Sequence, residues 1–346
     1  MTSAPVLAPQ AGALPRAREH DRPRGAGAVW AWVRPLGGVA ILAVLVWRVG
    51  TGPFLDAVRQ LDARSLVLAV VIGMVTTTAS AWRWSVIADG LRLRLPLRTA
   101  VADCYRSIFL NATLPGGVLG DVHRAVHHGR EVGDVGRGVR AVFWERTAGQ
   151  IVQSVLALVV LLTFASPVRS AMPVVAGVLL GLLAVLALLT VVLPRGGESR
   201  WARALRTARS DVSAGLLARG VWPWVGAASV VAVAGHVLTF FIAAQAAGVQ
   251  AGPSVLVPLA LLALVVMTVP LNVGGFGPRE GVAAWAFGAA GLTAGLGVTT
   301  ALLYGALVLV ASLPGAAVLL IRRLRPPAVD PAPRAPALSI PSPRVG

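Results

Sequence analysis

Three short stretches place carboxylates and arginines inside otherwise apolar sequence: TLPGGVLGDVHR at 113–124, VFWERTAGQ at 142–150 and TVPLNVGGFGPREG at 268–281. An ionisable side chain at bilayer depth costs about 3 kcal/mol on insertion scales, so those that are kept usually serve a site. Asp121 with Arg124, Glu145 with Arg146, and Arg279 with Glu280 pair the two charge types in each stretch. Guanidiniums beside the free N–H groups of a helix start make a phosphate or carboxylate site. The chemistry to expect is capture of an anionic headgroup. Glu145 and Glu280 would balance the arginines or accept a cationic group such as an amine. Each stretch also has a scaffold reading. Glu280 could cap its own helix and offset Arg279 at an interface, where an arginine reaches water by extending its stem. Glu145 and Arg146 are neighbours on a helix and do not face each other, so each needs a partner elsewhere or lies in the headgroup layer.

Other chemistry is excluded or weak. All 31 basic residues are arginine, which rules out a P-loop lysine and a Schiff-base lysine. The net charge of +17 does not point to nucleic acid, because the arginines cluster in short segments between apolar runs, as the positive-inside rule requires. Cys104 is the only cysteine, so neither an intramolecular disulfide nor a cysteine-rich metal site is available. His123 and His127 have metal-pair spacing without a carboxylate helix to complete a shell, and His236, alone in an apolar run, reads as a hydrogen-bonded packing residue. GGFGPREG follows an apolar segment rather than a strand and is not a dinucleotide loop. No cofactor is expected.

The elements that must position these residues are helical and lie in a membrane. The 346 residues are 56% hydrophobic and 13% charged, with a mean hydropathy of +0.76, the profile of an all-α polytopic membrane protein. Spans are expected at about 29–49, 65–87, 141–164, 172–193, 222–245 and 297–321. Two further runs, about 100–130 and 254–295, are interrupted by Pro and Gly and read as re-entrant hairpins dipping from opposite sides. The fold class is thus about six full transmembrane helices plus two inverted broken hairpins, the pattern of an inverted repeat with a site between its arms. Arginines in the 194–220 loop and after 321 place both termini in the cytoplasm. Residues 1–28 are a basic tail, 29–325 the membrane domain and 326–346 a Pro-rich tail, both tails being expected to be disordered. In the second broken run Pro278 suits a first helical position, and in the first Asp121 suits the cap of a helix starting at Val122.

NATLPGGVLGDVHR, then ERTAG, then VPLNVGGFGPREG, in that order, resemble the transmembrane region of lysylphosphatidylglycerol synthases, a family also described as flippase-like. The resemblance covers about 30–325. It implies an integral membrane protein that moves, or helps to move, a modified phospholipid between leaflets, without the aminoacyl-transferase domain that follows this region in two-domain members. Carried over by the resemblance, the substrate-binding residues are Asn111, Pro115, Gly117, Asp121 and Arg124 in the first stretch, Glu145 and Arg146 in the second, and Pro270, Gly275, Gly277, Arg279 and Glu280 in the third. The expected partner is a membrane phospholipid headgroup. Alternatives are an intramembrane lipid-linked transferase, or an accessory subunit of a separate synthase or glycosyltransferase; a homo-oligomer is open. Arginine and alanine richness without lysine fits a GC-rich genome, hence a bacterial inner membrane.

Overall fold

The computed structural model describes residues 59, 61–114, 117–177, 181, 200–218, 220–267 and 278–324. The two tails, the span at 29–49, most of the span at 172–193, Pro115, and the second break with Pro270, Gly275 and Gly277 lie outside these residues. Those described form helices α1 (Ala63–Gly90), α2 (Leu97–Thr113), α3 (Leu119–Glu131), α4 (Val135–Thr163), α5 (Arg200–Asp211), α6 (Trp222–Ala246), α7 (Pro253–Val266), α8 (Pro278–Ala289) and α9 (Ala294–Leu324). A π-helical turn, Val212–Leu216, follows α5. Among the described residues there is no strand.

Local sequence sets the helix starts. Asp62 caps α1 by accepting from the Ser65 N–H at 2.8 Å, and Asp134 caps α4 by accepting from that of Arg137 at 2.8 Å. α6 carries Pro223 at its second position and α7 opens on Pro253, where the missing N–H has no intrahelical partner to lose. α3 turns into α4 through Gly133, whose φ of +74° is a left-handed conformation that other side chains rarely adopt.

Four helices, α1, α4, α6 and the Ala294–Ile321 part of α9, are long and apolar enough to cross a membrane. Their outward faces carry Val67, Val71 and Val75 on α1, Val155 and Val159 on α4, and Leu238 on α6, all exposed, as lipid-facing side chains would be. The chain is a multi-pass membrane protein. The first interrupted run is a pair of antiparallel arms, α2 and α3, and the second supplies the arms α7 and α8.

Each pair of arms has its own core. Trp84, Ala88, Ala100, Cys104, Ala125 and Val142 join α1, α2, α3 and α4. Phe240, Leu256, Leu259, Phe287, Leu303 and Leu307 join α6, α7, α8 and α9. α9 is the shared wall, packing on α2 at one end and α8 at the other. Lipid tails are as apolar as leucine, so helices in a bilayer gain from close packing and polar pairing rather than from leaving water. Glycines on α9 provide the closeness: a Cβ at Gly315 would overlap the Tyr105 carbonyl of α2, and one at Gly297 the Ala283 carbonyl of α8.

Candidate functional site

Glu145, 2% exposed on α4, sits between two guanidiniums from different helices. Arg83 of α1 donates to its Oε1 through Nε at 3.2 Å and Nη2 at 2.5 Å, and Arg124 of α3 donates to Oε2 through Nη2 at 2.8 Å. Both arginines are buried. Nη1 of Arg83 donates to the Ser229 hydroxyl of α6 at 2.9 Å, and that hydroxyl donates to the Val225 carbonyl at 2.7 Å. Nη1 of Arg124 donates to Cys104 Sγ at 3.1 Å, and its guanidinium carbon lies 4.5 Å from the centre of the Trp84 ring.

Asp121 extends the array towards the surface. Its carboxylate accepts from the Ser107 hydroxyl at 2.8 Å and from Asn111 Nδ2 at 3.0 Å, both on α2, and pairs with Arg124 at 3.0 Å. Arg146 of α4 reaches both Asp121 oxygens, at 2.7 and 2.6 Å. Asn111 also accepts from the Gly120 N–H at 2.8 Å, holding the first turn of α3 against α2. Gly120 is required there, because a Cβ would overlap the Ser107 carbonyl. Gly117, in the break itself, has a φ of +61° and turns the chain in the left-handed region.

The carboxylate therefore does not cap its helix. Contrary to the expectation for a helix starting at Val122, α3 starts at Leu119 with Val118 at the cap position and no side-chain cap bond. Charge-assisted bonds to two arginines outcompete a single backbone N–H. Arg124 accordingly falls in the second turn of α3 rather than the first, away from the positive end of the helix. Adjacent Glu145 and Arg146 do find separate partners, as their helical spacing demanded.

Among the described residues, three guanidiniums share two carboxylates in this array, an excess of one positive charge. Arg146, paired with Asp121, is the exposed member: its side chain is 50% exposed while those of Arg83 and Arg124 are 7% and 3% exposed. Arg146 is the member that an incoming anion can reach without unpacking the helices. The same anion would exchange with the Asp121 carboxylate.

The third stretch supplies a further buried arginine. Arg279, at the start of α8, donates to Glu280 Oε1 through Nε at 2.9 Å and lies 5.3 Å from the centre of the Tyr304 ring of α9. A Cβ at Gly305 would come within 2.7 Å of its Nη2, so a glycine on α9 makes room for the guanidinium. The Tyr304 hydroxyl hydrogen-bonds with His236 Nδ1 of α6 at 3.0 Å. His236 is thus hydrogen-bonded within the packing, as its solitary place suggested, and its partner lies under Arg279.

Sequence reasoning missed Arg83, Ser107, Ser229 and Tyr304. Arg83 had a signal: it stands in AWRWSVI, an arginine between two tryptophans within an apolar span. The serines and the tyrosine carry no such mark. Among the described residues no group of three or more His, Cys, Asp or Glu is placed to hold a metal. The rings of His123 and His127 stack on each other at 5.9 Å. His128, nearby on α3 and outside the four spanning helices, has its pKa held below the ordinary histidine value, chiefly by burial.

The model of the family described as the lysylphosphatidylglycerol synthase TM region matches residues 33–315. The chain belongs to that family. The match includes Arg83, Asp121, Arg124, Glu145, Arg146, His236, Arg279 and Tyr304, so both arginine clusters fall within the family's region, and it makes the chain a membrane protein related to lipid handling. No curated protein and no solved structure matches the chain.

Proposed function

We propose that this lysylphosphatidylglycerol synthase TM-region protein moves an anionic or aminoacylated phospholipid between the leaflets of a bacterial inner membrane, with both termini cytoplasmic. The observation that carries the reading is the half-exposed Arg146–Asp121 pair in an array with one more arginine than carboxylate among the described residues, set at the α2–α3 hairpin on a buried base of Glu145, Arg83 and Arg124. A lipid phosphate binds Arg146 in place of the Asp121 carboxylate, and charge-assisted exchange of one oxyanion for another costs little. The acyl chains stay in lipid, which the exposed apolar helix faces already meet. Arg279 and Glu280, reached from α8, receive the headgroup on its way through or take the amine of an aminoacylated lipid at the carboxylate. Asn111, Gly117 and Gly120 keep the hairpin closed while the charges exchange partners.

The test is leaflet exchange in proteoliposomes with headgroup-labelled phosphatidylglycerol and lysyl-phosphatidylglycerol. Purified protein should accelerate exchange over empty vesicles. Arg146→Gln should remove most of the acceleration while melting within a few degrees of the unsubstituted protein. If the folded protein moves no lipid tested, translocation is excluded, and a catalytic or accessory role takes its place.

A further inference from the structure

A second basic element lies apart from the arginine array, in the connector between α1 and α2. Residues 89–98 read DGLRLRLPLR and hold three arginines against one carboxylate, Asp89. Leu91, Leu93 and Leu95 are buried and plug the core that contains Trp84, Ala100, Cys104 and Ala125. Arg92, Arg94 and Arg98 are exposed. Alternation along the stretch thus sends leucine inward and arginine outward. Among the described residues no carboxylate engages any of the three guanidiniums, Asp89 included, and α2 has no acidic residue in its first turn. The stretch is fastened to α1 by the Ser85 hydroxyl, which donates to the Leu95 carbonyl at 2.6 Å.

Positive segments beside spanning helices set topology whatever their shape. This one has a defined shape. The Leu93 N–H donates to the Ala88 carbonyl and the Arg92 N–H to that of Asp89, both at 2.9 Å, which closes the end of α1 around a left-handed residue. Glycine is the usual occupant of that position. Here it is Arg92, with a φ of +59°, and among the described residues no other side-chain-bearing residue has a positive φ. An exposed guanidinium is thus kept where the backbone would prefer none.

The depth of the connector follows from the helices beside it. α1 and α6 are antiparallel: a Cβ at Gly235 would overlap Thr76, whereas Trp224 meets Trp82 edge to face at 5.6 Å. Arg83 and Ser229, joined at 2.9 Å, share one level. Gly90 lies seven residues beyond Arg83 and Trp222 seven residues before Ser229, about 10 Å along each helix. The connector therefore starts at the level of Trp222 and Trp224, both largely exposed. Exposed tryptophans at the ends of spanning helices mark the headgroup layer. In that layer the anion at hand is a lipid phosphate, which arginines near the surface attract.

We propose that the α1–α2 connector is a binding site for an anionic phospholipid of the leaflet it faces, the headgroup phosphate held by Arg92, Arg94 and Arg98. Through Ser85 and the buried leucines the bound lipid braces the end of α1 that carries Arg83 and Trp84. The site is separate from the Asp121–Arg146 pair and does not depend on whether the protein moves lipid.

The experiment uses the full chain with Leu97, exposed next to Arg98, replaced by the photocrosslinker p-benzoylphenylalanine. The protein is irradiated in nanodiscs of phosphatidylcholine and phosphatidylglycerol, and lipid adducts are counted by mass spectrometry. The same probe at Val67, exposed near the opposite end of α1, reports the bulk lipid. Expected is phosphatidylglycerol enriched about threefold over the disc in adducts at residue 97, and the disc's own ratio at residue 67. Raising salt from about 0.05 to 0.5 M should remove most of the enrichment, since the Debye length shrinks to a few Å. Arg94→Gln with Arg98→Gln should do the same at low salt. Arg92→Gly separates binding from packing, because glycine accepts the left-handed conformation: the enrichment should fall while the melting temperature holds or rises. The disc's own ratio at residue 97 of the otherwise unsubstituted chain would overturn the proposal. So would an enrichment that inorganic phosphate removes at constant ionic strength, or an Arg92→Gly protein that melts lower and keeps its enrichment. Should the double variant not fold, the adduct ratio and its salt dependence in the chain with all three arginines decide by themselves.

Discussion

Glu145 and Arg146 stand side by side in the chain and play opposite parts. Glu145 is sealed, with an arginine on each oxygen; removing its charge takes the carboxylate from buried Arg83 and leaves Arg124 with Asp121. Breaking a buried pair from one side costs about 3–5 kcal/mol. Glu145→Gln should therefore lower the thermal melting point in detergent sharply, or abolish the folded yield. Arg146 is half-exposed, and pairs of that kind contribute about 0–1 kcal/mol. Arg146→Gln should melt almost where the unsubstituted protein does, and a large loss of stability would show that Arg146 is a structural residue instead. His128 gives a pH dependence of known sign. Its folded pKa is depressed by burial, so above the ordinary value of about 6.5 neither state binds a proton and the group is silent. As pH falls below that value the unfolded chain takes up a proton that the folded chain resists, and stability drops until the folded pKa is passed. Melting temperatures between pH 7.5 and 5 should fall, and His128→Gln should flatten that part of the curve.

At the scale of elements, the hairpin α2–α3 is held by a close approach that only glycine permits. Gly120→Ala would push α3 off the Ser107 carbonyl and stretch the Asn111 and Ser107 bonds that serve the Asp121 carboxylate. Overpacking of this kind costs about 1–3 kcal/mol or more. Gly136→Ala is the contrast: the added methyl would meet nothing closer than 3.5 Å, and alanine favours a helix over glycine by up to about 1 kcal/mol. The first substitution should lower the melting point and lipid exchange together, and the second should leave both unchanged or raise the melting point slightly. Much of this scale was legible in the chain. Pro and Gly in TLPGGVLGDVHR mark the break between the arms because neither residue continues a helix. Pro278 opens α8 as its fixed φ allows. What misled was Asp121. Its type and place suit a helix cap, and only the arrival of Arg146 from a helix beginning 14 residues later diverts it. Local sequence cannot weigh a backbone N–H against a guanidinium that folding delivers from elsewhere.

At the scale of the molecule, α9 packs against both pairs of arms, and Tyr304 of α9 joins Arg279 of the second to His236 of α6. The membrane protein was legible from hydropathy, and the break between α2 and α3 from its Pro and Gly. The sequence did not show the 62-residue separation closed by Arg83 and Glu145, because hydropathy treats a lone arginine in a span as a penalty and says nothing of its partner. The Ser229 hydroxyl, which completes Arg83, is invisible for the same reason. The family match covers the array, in which Arg83, Arg124 and Glu145 form a buried base for the Asp121–Arg146 pair; the proposed function makes that pair the exchangeable one.

The most direct test of that claim is the leaflet-exchange rate of headgroup-labelled phosphatidylglycerol measured side by side for the unsubstituted protein, Arg146→Gln and Asp121→Asn, each checked for folding by its melting curve. Release of Arg146 from its competing carboxylate should make Asp121→Asn reach half-maximal exchange at a lipid content several-fold lower, while Arg146→Gln loses exchange at every content. Equal rates and equal lipid dependence in all three folded proteins would contradict the account.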